Sequence, residues 1–198
     1  MMSREQFISL LRHPNDPHAQ FYIGEVYAGR IYVPREGSKK TDHDPYPEPS
    51  DERAMEWYLR AAEQGWGDAM FRIGEMYHNG THPRGKSIEK AMEWYLKGAY
   101  RFSGHAMYAI GRMYHLGDGV SQSYERAMEW YLRAAEEDNA EAQYRLGMMY
   151  ETGAYPERSI KEAIKWFERA AENGHPEAQE HLQGMINNSC NDYSLSNK

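Results

Sequence analysis

The sequence predicts an all-α fold, a solenoid of stacked helix pairs of about 36 residues each. Three observations carry this reading. A tryptophan recurs at Trp57, Trp94, Trp130 and Trp166, with spacings of 37, 36 and 36 residues. A glycine recurs at Gly24, Gly74, Gly111 and Gly147, with spacings of 50, 37 and 36. Around both, apolar residues fall at helical period: counted from Ala69, Ile73, Gly74, Met76 and Tyr77 share an arc of about 160° when each residue advances about 100°.

Residues 1–16 read as an N-terminal capping helix. Ala19 follows Phe7 by 12 residues, as Ala69 follows Trp57, so Phe7 takes the tryptophan's place in a shortened helix. Repeat 1 spans 17–66, with first-helix core HAQFYIGEVY and second-helix core ERAMEWYLRAAE. The odd spacing of 50 places an insertion within it, the loop 31–50. Pro34, Pro45, Pro47 and Pro49 stiffen that loop, because each ring fixes φ and removes a donor. Repeats 2, 3 and 4 cover 67–103, 104–139 and 140–175, with first-helix cores DAMFRIGEMY, HAMYAIGRMY and EAQYRLGMMY. Residues 176–188 restart a first helix as a C-terminal cap, with Gln183 where the glycine belongs, and 189–198 form a polar tail. Atypical ends are expected where a terminal repeat faces water.

A serine stands seven residues before each tryptophan, at Ser50, Ser87, Ser123 and Ser159, and is the expected N-cap of the second helix. Glu162, three residues after Ser159, completes a capping-box pattern. Gly65 and Gly174 are expected to stop second helices, and Gly80, Gly117 and Gly153 first helices, as left-handed caps. The tryptophans read as core, with roughly 3–5 kcal/mol lost on truncation of an inner one. Gly74 and its equivalents are expected to let two backbones approach closely.

The pattern A-x-[FY]-x-[IL]-G-x-[MV]-Y, followed by K/R-A-M-x-W-Y-x-[KR]-A-A-E-x-G, resembles the Sel1-like repeat, a relative of the tetratricopeptide repeat. The match runs from about Phe7 to about Ile186. Departures are the long loop of repeat 1, Gly98-Ala-Tyr-Arg-Phe102 in repeat 2, and Glu137-Asp138 in repeat 3. The resemblance implies a curved right-handed superhelix with protein-binding surfaces. It implies no reaction. The cysteine-bridged branch of the family does not fit a chain whose one cysteine is Cys190.

Composition narrows the function classes. The net charge is −7 and the pI about 5.7. Nucleic-acid binding rests on a basic surface that displaces counterions from phosphates, so no nucleic-acid partner is expected; basic proteins suit an acidic surface better. A single thiol makes no internal disulfide and no cysteine-based zinc site, which points to a reducing compartment. The apolar patch Phe7–Leu11 is too short for a signal-peptide core or a membrane span. A cytoplasmic location without membrane insertion is therefore expected. There is no H-E-x-x-H, no G-x-S-x-G and no phosphate-cradling glycine loop. No catalytic residue, cofactor or metal is expected: Asp42-His43-Asp44 lacks a second ligand set, and His78 and His115 sit on helices roughly 8–10 Å apart.

Function should reside where the repeat does not dictate the residue. In the first helices, offsets +2, +6 and +9 from the repeated alanine point away from the core. They carry Phe21, Phe71, Tyr108 and Tyr144, then Glu25, Glu75, Arg112 and Met148, then His78, His115 and Glu151 (with Ala28 in repeat 1). On the family's curvature these line the concave groove. The aromatics at +2 either anchor a partner or seal adjacent first helices; the +6 and +9 residues differ between repeats and suit specificity. The insertion is a second candidate surface, with Tyr46 between two prolines as its anchor. The turn Tyr100-Arg101-Phe102 is a third, either packed on the neighbouring repeat or exposed as a contact patch. The partner expected is a protein. The sharper expectation is a toxin effector neutralised by an immunity protein; the alternative is an adaptor reading signalling or envelope proteins. The terminal helices, around Leu182, Met185 and Ile186, leave room for weak self-association.

Overall fold

A computed structural model describes residues 2–31, 33, 48–153, 155 and 157–195. The described residues form helices α1 (Arg4–Leu11), α2 (Pro17–Tyr27), α3 (Asp51–Glu63), α4 (Gly67–Asn79), α5 (Ile88–Tyr100), α6 (Gly104–Leu116), α7 (Tyr124–Glu136), α8 (Ala140–Thr152), α9 (Ile160–Glu172) and α10 (Pro176–Leu195), and no strand. The protein is an all-α repeat fold. Two compact units divide it, residues 1–106 and 107–198. In the first, α2 packs on α3 and α4 on α5; in the second, α8 packs on α7 and α9, and α10 on α9. No described helix is long and apolar enough to cross a membrane.

One packing device recurs in every repeat. The second-helix ring Tyr58, Tyr95, Tyr131 or Phe167 is buried to 2% exposure or less. Its Cδ1 and Cε1 atoms lie against the glycine of the first helix. A Cβ placed on Gly24, Gly74, Gly111 or Gly147 would stand 2.5–2.6 Å from the nearest ring carbon. The glycine thus makes room chiefly for a ring, where the sequence suggested a second backbone. The tryptophans beside these rings are a correction. Trp57, Trp94, Trp130 and Trp166 are only half-buried. Each lies under a cation three residues on: Arg60 at 4.7 Å, Lys97 at 4.2 Å, Arg133 at 4.8 Å and Arg169 at 5.3 Å. Neighbouring residues on a helix differ by about 100°, so only one ring of the pair faces the glycine.

The turns within repeats are fixed from both sides of one serine. Ser50, Ser87, Ser123 and Ser159 accept from the amide three residues on at 3.2–3.3 Å. Their own amides donate to the carbonyls of Tyr27, Tyr77, Tyr114 and Tyr150 at 2.8–2.9 Å. The capping box anticipated at Ser159 does not form: Glu162 turns to Lys165 instead, at 2.7 Å. Ser3 and Gln6 make one at the start of α1. There Phe7 is buried with Ile23, Val26 and Val33.

The expected left-handed glycines all have positive φ: Gly65, Gly80, Gly117, Gly153 and Gly174. At the turn positions matching Gly65 and Gly174, the other two repeats hold Phe102 (φ 59°) and Asp138 (φ 53°) in the same region. At the C-terminus α10 continues through residue 188, the anticipated end of the cap, to Leu195.

Candidate protein-interaction surface

The first-helix residues singled out by the repeat fall into two groups, one in each unit. In the first unit, Phe21 packs on Tyr58 and Trp66, with centroids 6.0 and 6.2 Å apart. Phe71 packs on Tyr95 at 5.9 Å and on His105 at 5.5 Å. Phe21, Glu25 and Phe71 line one cleft of about 260 Å³ with Tyr22, Asp68, Arg72 and His105. Glu25 is placed differently from the exposed groove edge expected of it. It is 5% exposed and accepts from the Tyr58 hydroxyl at 2.6 Å and from Arg72 Nε and Nη2 at 2.8 and 3.0 Å. Arg72 also donates to Glu75 at 2.8 Å, and Arg30 pairs with Glu75 at 3.1 Å. A buried carboxylate persists only when paired and hydrogen-bonded, and this chain supplies both. Burial, then Glu25, hold the Tyr58 hydroxyl far above the usual tyrosine range. For Arg72, burial works against the charge but Glu25 and Glu75 outweigh it and raise the pKa. His78 is half-buried, its Nδ1 3.2 Å from Asn79 Oδ1.

Arg72 and Asp68 were not singled out by the repeat. Offset +3, where Arg72 stands, holds Tyr22, Ala109 and Arg145 in the other repeats, a variation that marks the position without singling out Arg72. Asp68 accepts from Ser103 Oγ at 2.6 Å and lies 3.3 Å from His105 Nδ1. The His105 contact, with help from Ser103, lowers the Asp68 pKa against the opposing effect of burial. This serine, histidine and aspartate are not arranged for nucleophilic catalysis. Both side chains point at one carboxylate oxygen, so the hydroxyl is not hydrogen-bonded to the imidazole that a serine–histidine–aspartate triad requires. Ser103 instead caps α6 by accepting from the Ala106 amide at 3.2 Å.

In the second unit, Tyr108 stacks on Tyr131 at 5.7 Å and donates to Glu141 at 3.2 Å. Tyr144 stacks on His175 at 4.1 Å and packs on Phe167 at 5.4 Å. The +2 aromatics therefore all seat on the buried ring of their own repeat. Glu151 is held by His181 Nε2 at 2.9 Å. His115 is half-buried between Tyr124 and Tyr131. Its Nδ1 is buried and makes no hydrogen bond among the described residues. Burial, with Arg145 adding to it, lowers its pKa. Met148 is half-buried. Arg112 is exposed, and no hydrogen bond or ion pair joins it to a described residue. Leu116, one turn further along α6, is 64% exposed.

The turn after α5 is exposed. Tyr100 and Phe102 are 81% and 73% exposed, and Arg101 lies with its guanidinium against Gly65. The packed alternative thus holds for Arg101 alone. Tyr46 lies outside the described residues. No group of three metal-ligating side chains occurs among the described residues.

Comparison with known proteins agrees with this architecture. A crystal structure of a Sel1 repeat protein from Oxalobacter formigenes superposes with a TM-score of 0.70 and 27% identity, over 85% of this chain and 62% of that one. A protective antigen of uropathogenic Escherichia coli displaying an SLR fold gives 0.71 and 27%, over 92% of this chain and 36% of that one. Helicobacter pylori cysteine rich protein B shares the fold, at a TM-score of 0.55 and 20% identity over 67% of this chain and 94% of that one. This chain spans less than two thirds of the first two. Among curated proteins no match is found. The Sel1 repeat model matches residues 44–66, 67–101, 104–139 and 140–175. These segments take in α3 through α9 and cover most of the sequence, and the chain belongs to the Sel1 repeat family.

Proposed function

We propose that this chain is a non-catalytic binding module that holds a protein partner on the exposed side of its first helices, with the inserted segment 31–50 as a further contact. Sel1 repeats are a protein-interaction scaffold. One observation carries the reading here: the repeated aromatics seat on one another, while some of the residues that differ between repeats, unlike the already paired Glu25, Glu75 and Glu151, remain outward. Arg112 without a described partner, exposed Leu116 and half-buried Met148 are the chief examples. An exposed arginine beside apolar side chains is the composition of an interface anchor.

The sharper reading is an immunity protein that neutralises a bacterial toxin effector in the cytoplasm. The acidic net charge of −7 and the irregular insertion support it. An inhibitor of this kind binds at nanomolar strength or better, whereas an adaptor reading peptide segments binds at about micromolar strength. A pull-down of the tagged chain from lysate of its own source, washed at high salt, separates the two. One stoichiometric partner whose expression harms cells only when this gene is deleted supports immunity. Several weak partners sharing a motif support the adaptor. Partners retained equally by Arg112→Glu would remove the first-helix face from the proposal.

A further inference from the structure

We infer that the turn between α5 and α6 is a second docking point, shaped to take an apolar side chain of a protein partner flanked by carboxylates. The inference rests on the reading of the chain as a partner-binding module and adds a second surface to it.

Folding does not account for this turn. Tyr100 and Phe102 are the two most exposed of the large apolar side chains identified, at 81% and 73%. Phe102 also occupies the left-handed region at φ 59°, where the Cβ of an L-residue crowds the following carbonyl. The matching positions hold Gly65, Asp138 and Gly174, residue types that tolerate this conformation. Phe102 therefore strains the backbone and gains no burial in return. Tyr100 stands where the other repeats have Glu63, Glu136 and Glu172. The family's pattern breaks at this point too, since its matched segments end at 101 and resume at 104. Strain at an exposed side chain, where the ordinary residue would relieve it, marks a role outside folding.

The turn is also held rigid beneath the two rings. The amides of Arg101 and Ser103 both donate to the Gly98 carbonyl, at 2.9 and 3.1 Å, and that of Phe102 to Ala99 at 3.1 Å. Ser103 is tied to Asp68. Gly98 replaces the alanine of other repeats because a Cβ there would stand 2.9 Å from Ala106 Cβ and 3.0 Å from the Gly67 carbonyl. Rings presented on a fixed base lose little entropy when a partner docks.

Charge selects the occupant. From Lys97 to Ser103 the sequence is KGAYRFS, with no carboxylate of its own; Lys97 lies over Trp94 and the nearby Asp68 carboxylate is taken up by Ser103 and His105, which leaves the Arg101 guanidinium as the charge beside the rings. Arg101 lies 6.0 Å from the Tyr100 ring centroid. The net negative charge belongs elsewhere: residues 107–198 hold 15 acidic against 9 basic side chains, and residues 1–106 hold 15 against 14. Two rings with the Arg101 guanidinium beside them match an apolar anchor accompanied by Asp or Glu. A bilayer is the poorer fit, because two rings and one arginine are a small insertion, short of the apolar face and basic cluster that hold a helix at a membrane interface.

The test uses the full chain, immobilised and panned against a phage-displayed library of random peptides. A Tyr100→Ala/Phe102→Gly variant is panned in parallel. The expected result is a set of peptides carrying Leu, Phe or Trp beside at least two acidic residues. Their affinity should fall at least tenfold on the double variant and on Arg101→Glu. Phe102→Gly alone should melt above the wild type, since glycine relieves the turn. The inference is overturned if peptides bind the double variant as well as the wild type, a result that leaves the first-helix face standing. Turn-dependent peptides without acidic residues, turn-dependent sedimentation with phosphatidylserine vesicles, or a lower melting temperature for Phe102→Gly would each overturn it as well. Recovery of no peptide at all counts against both readings.

Discussion

Replacing Gly74 by alanine tests the packing device on which every repeat depends. Helix propensity alone favours the change, since alanine in a helix interior is about 1 kcal/mol better than glycine. The geometry opposes it. The new Cβ would stand 2.5 Å from both Cδ1 and Cε1 of Tyr95 and 3.2 Å from the Ala91 carbonyl, where ordinary contact begins at 3.4 Å. The ring would have to retreat by about 1 Å in a close-packed interior, and Tyr95 is 2% exposed. Overpacking of this kind costs about 1–3 kcal/mol, and two ring atoms in simultaneous clash place it at the upper end. After the propensity gain, the expected net loss is about 2 kcal/mol, or a melting temperature lower by about 4–8 °C. Far-ultraviolet circular dichroism on heating measures this. Hydrogen exchange should locate the damage in α4 and α5, because a solenoid repeat touches only its neighbours. Gly184→Ala is the control: nothing lies within 4 Å of its Cβ, so it should be neutral or stabilising by up to about 1 kcal/mol. In a Tyr95→Leu background Gly74→Ala should cost much less. A Gly74→Ala protein as stable as the wild type, or an equal cost in both backgrounds, would refute the ring-on-glycine account.

Three further outcomes follow from the same contacts. Tyr95→Ala should cost about 3–5 kcal/mol by opening a cavity, whereas Trp94→Ala should cost only about 1–2, since it removes a half-buried ring and its contact with Lys97; chemical denaturation of both variants decides the order. Arg72→Met should cost about 3–5 kcal/mol by leaving Glu25 buried without its cation, and Arg72→Met/Glu25→Leu should recover much of that loss. Tyr58 and Tyr131 have pKa values raised chiefly by burial. Their neutral form is favoured in the folded state, so the stability they contribute is complete below the unfolded tyrosine value of about 10. It is lost as pH rises beyond that. Stability should fall above about pH 10, with tyrosinate absorbance appearing together with unfolding, and Tyr58→Phe/Tyr131→Phe should flatten the slope.

The repeat frame was legible because it is written in local terms. N-cap serines, left-handed glycines and the 3.6-residue period each act within a few residues, and every one of these caps appears where its spacing puts it. What the sequence left open was decided across longer distances. Trp57 and Tyr58 are neighbours of similar character, and only the seat on Gly24 shows which ring goes inside. Glu25 and Arg112 share offset +6, yet one is buried and the other exposed. The difference lies in Arg72, 47 residues beyond Glu25, whose guanidinium takes both carboxylate oxygens. The capping box at Ser159 failed for a local reason, competition from Lys165 for the Glu162 side chain. Exposure of Tyr100 and Phe102 was open because a packed ring and a displayed ring use the same residues.

That contrast at offset +6 also decides how a binding test should be built. In the first unit, Glu25, Arg72, Glu75 and Arg30 form a chain of two carboxylates and two guanidinium groups that already answer one another. A partner docking there gains little from charge, because each new ion pair displaces an existing one. A variant such as Arg72→Met would lose binding through loss of fold. In the second unit, Arg112 has no described partner to give up, so its charge is available to a bound protein in full. The sequence also nominates His115 for substitution. Its ring, however, is half-buried against Tyr124 and Tyr131 with its Nδ1 unbonded, and a glutamate there would put a charge into an apolar setting. Arg112→Glu alone is therefore the clean perturbation. It should leave the melting temperature within a degree or two of wild type, as exposed substitutions do. It should weaken the partner by tenfold or more, the scale of an arginine anchor. Calorimetric titration with the partner from the pull-down measures the second and thermal unfolding the first. Unchanged affinity together with an unchanged melting temperature would shift the interface to the α5–α6 turn or the insertion.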